Sequence, residues 1–86
     1  MIRFVPQKDG RVNTFIEDRH ELGGCLCATH EYDISFCVRE DGAIYAMQVT
    51  ELAYGQWWDW DAEDYKDPVK MRLVAAVEAE YRRQAA

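Results

Sequence analysis

The clearest pattern in the chain lies between Tyr32 and Thr50. Tyr32, Ile34, Phe36 and Val38 alternate with Asp33, Ser35, Cys37 and Arg39, and Tyr45, Met47 and Val49 alternate with Ala46 and Gln48. A period of two places alternate side chains on opposite faces of a strand. Asp41-Gly42 between the runs supplies turn chemistry. A two-residue loop there pairs Glu40 with Ala43, Val38 with Tyr45, Phe36 with Met47 and Ile34 with Val49, all three inner pairs apolar. The outer face then receives Arg39 with Ile44, Cys37 with Ala46 and Ser35 with Gln48. Because turn and face pattern agree, the sequence predicts an antiparallel hairpin of residues 32–39 and 43–50 in this register.

Two further β-like runs, residues 2–7 and 11–17, flank Asp9-Gly10 and read as a second hairpin. Pro6 lacks an N–H for a ladder, which makes the first run an edge strand. Residues 18–24 read as a loop, and residues 24–30 as a strand with Gly23-Gly24 at its start.

From Pro68 to Gln84 the period changes to that of a helix. Val69, Leu73, Val77 and Tyr81 recur every four residues, flanked by Val74 and Ala76, so one apolar stripe lies across the sheet. Asp67 is placed to cap the first turn, and Pro68 fits the first helical position because no partner is lost there. Arg72, Glu78 and Arg82 fall on the outer side, with Glu78 and Arg82 spaced as an i,i+4 pair. Arg82 and Arg83 suit the negative end of the helix dipole.

The predicted fold class is therefore α+β: a small antiparallel sheet of about four to five strands with a C-terminal amphipathic helix on one face. At 86 residues the chain is read as a single domain, with a β-rich part (1–50), an aromatic-acidic segment (51–66) and the helix (67–86). A hydrophobic share of 49% and an aromatic share of 13% supply enough buried area to argue against intrinsic disorder.

Charge narrows the partners. Sixteen acids against ten bases give a formal charge of −6. Residues 1–66 hold thirteen acids and six bases, for −7, and residues 67–86 three acids and four bases, for +1. The negative field thus belongs to the sheet and its loops. Such a surface repels nucleic acid and anionic lipid and complements a basic protein surface. No run reaches the roughly 20 apolar residues of a membrane span. The first ten residues contain Arg3, Lys8 and Asp9 and no apolar signal core. Together with an odd cysteine count of three, this gives the expectation of a cytoplasmic protein.

Several groups of residues are of types that carry chemistry. Cys25, Cys27, His30 and Cys37, with His20 nearby, are zinc-ligand types, and a small metal-binding or thiol protein using Cys25, Cys27 and Cys37 is the alternative functional class. The Cys-x-Cys spacing does not wrap a turn around a metal, and on a strand His30 points away from both cysteines. A Cys25–Cys27 disulfide fits poorly, because i,i+2 side chains of a strand run parallel about 6.6 Å apart. A Cys25/His20 nucleophilic pair lacks any sign of an orienting group or oxyanion hole. The carboxylates beside the tryptophans suit a sugar cleft by type, but the domain is small for one. No cofactor and no catalytic residue is expected.

The segment from Thr50 to Lys66 holds all three tryptophans, Trp57, Trp58 and Trp60, among Asp59, Asp61, Glu63 and Asp64. A helical path gathers Leu52, Ala53, Trp57 and Trp60 on one side and leaves Tyr54 and Trp58 outward. An extended path puts Trp58 and Trp60 together, and Gly55 decides for neither. The structural alternative is that the tryptophans only fill the core while the acids face water. Tryptophan and tyrosine also dominate protein-interface energetics, and carboxylates around them select a basic partner. The sequence therefore nominates Tyr54, Trp57, Trp58, Asp59, Asp61, Glu63, Asp64 and Tyr65 as a binding surface, with Tyr54 or Trp58 as exposed anchor and Trp60 buried. The function expected is that of a non-enzymatic acidic protein-binding module. In size and charge balance, though on no motif, the chain resembles small acidic inhibitors encoded by bacteriophages, including anti-CRISPR proteins. That resemblance implies an inhibitor occupying a basic or nucleic-acid-binding surface of a larger protein.

Overall fold

A computed structural model describes residues 2–17 and 31–86. The expected loop at 18–24, the expected strand at 24–30, and His20, Cys25, Cys27 and His30 lie outside the described residues. Among the described residues, five strands form one antiparallel sheet in chain order: β1 (Val5–Pro6), β2 (Val12–Ile16), β3 (Glu31–Val38), β4 (Ile44–Ala53) and β5 (Gln56–Asp59). A 3-10 turn (Asp64–Lys66) leads into helix α1 (Pro68–Ala85), which lies on one face. This is the small α+β architecture that the residue periods predict.

The two early turns share one solution. In each, a three-residue loop, Lys8-Asp9-Gly10 or Glu40-Asp41-Gly42, ends on a glycine at φ +89°. In each, the aspartate accepts from the backbone N–H two residues on, at 3.0 Å (Arg11 to Asp9; Ala43 to Asp41). The glycine is required because its left-handed φ strains any residue with a Cβ. These are three-residue hairpins with a left-handed third residue, not the two-residue loop expected at Asp41-Gly42.

The longer loop moves the pairing near it by one. Val38 pairs with Ile44 and Cys37 with Tyr45. Beyond a β-bulge between Ser35 and Cys37, the pairs Ser35–Gln48 and Ile34–Val49 match the expected register. Ala46, at φ 55°, is the extra residue that absorbs the difference. Two expected orientations are thereby corrected. Tyr45 faces outward, 47% exposed, and Ile44 turns inward to pack against the core. On the outer face the Arg39 guanidinium lies 5.3 Å from the Tyr45 ring centre. Arg11 reaches across β3 to hold the bulge, donating to the Ala46 carbonyl, to Ser35 Oγ (3.1 Å) and to Cys37 Sγ (3.3 Å).

The core is built by the inward faces that alternation assigns. Ile16, Tyr32, Ile34, Phe36 and Val49 from the sheet meet Leu73, Val74 and Val77 from α1, with Ile2 and Trp60 closing the sides. Phe4, Phe36 and Tyr81 form a triangle of edge-on rings with centroids 5.1–6.1 Å apart, which ties the late part of α1 to the sheet. Val69, in the first turn of α1, departs from the expected stripe and is exposed. The Asp67 cap forms as expected, its carboxylate accepting from Val69 N–H at 2.9 Å. As the pattern requires, Pro6 sits on an edge strand.

Candidate interaction surface on the β4–β5 hairpin

Of the two paths open to the aromatic-acidic segment, the extended one forms over Gln56–Asp59. It folds back on β4 through a two-residue turn, Tyr54-Gly55, with both residues at positive φ (53° and 76°). That geometry matches the right-handed twist of the flanking strands, and it favours Asn-Gly or Gly-Gly over a residue like tyrosine. β5 then pairs Gln56 with Ala53, Trp57 with Leu52, Trp58 with Glu51 and Asp59 with Thr50.

Alternation along β5 sends the two adjacent tryptophans to opposite faces. Trp58 lies on the helix side, 53% exposed, and its indole N–H donates to the Ala53 carbonyl at 3.2 Å. Trp57 lies on the outer face, 47% exposed, with its ring 6.1 Å from that of Phe15. Tyr54 stands at the tip, 96% exposed. Trp60 turns into the core, 7% exposed, as the sequence expects. Its indole N–H donates to Glu51 Oε1 at 2.8 Å, and its ring meets Tyr32 and Tyr65 edge-on.

The four nominated carboxylates divide by role. Asp61 and Asp64 form a reciprocal cap on the 3-10 turn. Asp61 Oδ1 accepts from the N–H groups of Glu63 (3.0 Å) and Asp64 (3.1 Å), and Asp64 Oδ2 accepts from Asp61 N–H (2.9 Å). Asp64 also pairs with Lys70, whose hydrogen bond holds the carboxyl below its ordinary range while the carboxylate raises the Lys70 ammonium. Asp59 accepts from the Thr50 hydroxyl at 3.0 Å and remains exposed. Glu63 is exposed, 3.8 Å from Lys66. Such exposed pairs are worth little in water.

Tyr65 also serves the frame. Beyond the end of β5 the strand β4 still has backbone groups to satisfy. Trp60 N–H donates to the Val49 carbonyl at 2.9 Å. The Tyr65 hydroxyl accepts from Val49 N–H at 3.0 Å and donates to the Met47 carbonyl at 3.3 Å. Sequence reading grouped Tyr65 with the surface; the fold uses it to finish the sheet.

A groove of about 330 Å³ runs beside Trp58, between the hairpin and the start of α1, lined also by Tyr54, Trp60, Asp61, Asp64 and Lys70. Glu51 forms part of its wall. Glu51 is a site residue that sequence reading missed. The signal was its inward parity in Val49-Glu51-Ala53, an acid where an apolar residue is due. Burial, and secondarily the Glu51 charge paired across from it, push the Tyr32 phenol up to about 12. Among the described residues no cluster of three metal-ligating side chains occurs. Cys37 is a free thiol on the outer face, in contact with Arg11. No described helix is long and apolar enough to cross a membrane.

No protein-family model, curated protein sequence or solved structure matches this chain.

Proposed function

We propose that this protein is a non-enzymatic binding module that presents the β4–β5 hairpin to a basic surface of a larger protein, as an inhibitor of a nucleic-acid-binding surface would. The observation that carries the reading is Tyr54. A tyrosine exposed over 96% of its surface occupies a left-handed backbone position that stability alone assigns to asparagine or glycine. The same hairpin carries two half-exposed tryptophans, and the exposed carboxylates Asp59, Asp61 and Glu63 follow at and beyond its end. Rigid aromatic anchors with a charged rim are the composition of interface hot spots. The carboxylates set the encounter rate and exclude acidic partners.

The test separates anchor from rim. A partner captured from lysate on the parent protein is purified, and its binding kinetics are compared across two variants. Trp58→Ala raises the dissociation rate, costing about 2 kcal/mol or more for a true anchor. Asp59→Asn, Asp61→Asn and Glu63→Gln together keep the acceptors of the turn, slow association and flatten its dependence on salt. If both variants are folded and bind as the parent does, the interface lies elsewhere and the reading fails.

A further inference from the structure

Among the described residues β5 is the last strand of the sheet, and all four of its residues are exposed. Its pairing fixes which backbone groups are free. A two-residue turn makes Ala53 and Gln56 the hydrogen-bonded closing pair, so hydrogen-bonded and open pairs alternate from there. Glu51–Trp58 is then bonded, and the bond from Trp60 N–H to the Val49 carbonyl continues the same parity. Leu52–Trp57 and Thr50–Asp59 are the open pairs. The N–H and C=O groups of Trp57 and Asp59 therefore point away from β4, along the outer edge.

The two edges of the sheet differ. β1 is two residues long and carries Pro6, with Lys8 just beyond it, features that block strand addition. β5 has neither proline nor lysine and places an exposed indole on each face of its edge. A second copy of this chain is a poor occupant, because it brings the same net charge of −6 to the edge and like charges oppose its approach. Charge complementarity selects a basic strand.

Resting on the reading above, we propose that β5 accepts an extended basic segment of the partner as a sixth, antiparallel strand. Trp57 and Asp59 make the backbone bonds, and side-chain parity sets the partner's sequence. The partner residue opposite Asp59 shares the outer face with that carboxylate and is Lys or Arg. The next, opposite Trp58, lies on the helix side, where Arg stacks on the indole at the mouth of the groove walled by Asp61 and Asp64. The third, opposite Trp57, joins the aromatic pair of Trp57 and Phe15 and is apolar. The order read along the partner is basic, basic, apolar.

The probe is a short blocked peptide, Thr-Lys-Arg-Val-Thr, titrated into the full chain at low salt with binding followed by amide NMR and indole fluorescence. N-methylation of its Lys and Val nitrogens, which face β5, weakens binding at least about tenfold. N-methylation of the Arg nitrogen, which faces away, leaves binding within about twofold. On binding, the Trp57 and Asp59 amides pass from open to hydrogen-bonded and shift in the amide spectrum, while Trp58 N–H is bonded to β4 before and after. Equal binding of all three peptides, with Trp58→Ala weakening each alike, overturns strand addition and leaves the surface reading standing. Absence of binding by the unmodified peptide also overturns it, whereas the Trp58→Ala result with a captured partner judges the surface itself.

Discussion

Replacing Tyr54 by Asn separates stability from recognition at one residue. The tyrosine sits at φ 53° in a two-residue turn, and its side chain is 96% exposed, so removing the ring forfeits almost no burial. A left-handed conformation costs an L-residue roughly 1–2 kcal/mol, and asparagine relieves part of this by local hydrogen bonding. The expected gain is about 0.5–1 kcal/mol. Unfolding entropy of about 2.1 cal/mol/K per residue near the midpoint, scaled to 86 residues, is about 0.18 kcal/mol/K, so Tm rises by about 3–6 °C. Thermal unfolding followed by circular dichroism reads the shift, and urea titration with an unchanged m-value shows that the folded state, not its compactness, has changed. Tyr54→Ala is the control: it removes the ring without relieving the backbone and moves Tm by no more than about 2 °C. If Tyr54→Asn is neutral or destabilising, the turn is not strained by tyrosine. The argument that something other than stability holds Tyr54 in place then falls.

Three further outcomes test the frame. Tyr65→Phe leaves the N–H of buried Val49 without its partner and costs about 1–3 kcal/mol in urea unfolding, with indole emission of Trp60 reporting the change; a cost near zero means water replaces the hydroxyl. Phe36→Ala empties the fully buried centre of the sheet and the triangle with Phe4 and Tyr81, lowering stability by about 3–5 kcal/mol; a midpoint close to the parent's refutes that packing. Asp64 has a lowered carboxyl in the folded state, so its contribution is present above the unfolded carboxylate range, near pH 4, and is lost as pH falls through the folded value. The Lys70 contribution is present below the unfolded ammonium value of 10.5 and is lost as pH rises through its raised value. Urea midpoints measured against pH for Asp64→Asn are expected to fall less steeply in acid than the parent's; parallel curves would place the acid sensitivity in other groups.

The sheet-and-helix plan was legible because alternation, turn residues and the helix cap each pointed the same way. The register at Ile34 and Val49 followed from face pattern, but the turn did not. Asp41-Gly42 serves a two-residue or a three-residue loop equally well, and what decides is the bulge at Ala46, held by Arg11 from a strand far away in sequence. Long-range bonds of that kind leave no local signature. At the candidate surface, the sequence expects Tyr54 and Trp58 outward and Trp60 inward on a helical path; the exposures hold, but the path does not, and Trp57, which that path buries beside Trp60, is 47% exposed. The extended path is the one that forms, and Tyr54, an unusual turn residue, hides the hairpin that would have decided for it. Asp64 and Tyr65 read as surface groups because their partners, Lys70, Met47 and Val49, come from other elements.

The sheet is a meander, each strand bonded to its predecessor in the chain. In such a sheet, local stability is graded from the centre outward, since an outer strand opens by releasing one ladder and an inner strand only by releasing two. β3, bonded on both sides by the longest ladders, is the last to exchange its amide hydrogens. Among the described residues β5 is held by β4 alone, over four residue pairs, and is among the first. The element that carries the exposed aromatics is thus also one that detaches at low free-energy cost while the helix-covered centre stays intact. Any partner that binds the closed hairpin slows that opening in proportion to its occupancy, which turns hydrogen exchange on β5 into a direct gauge of affinity.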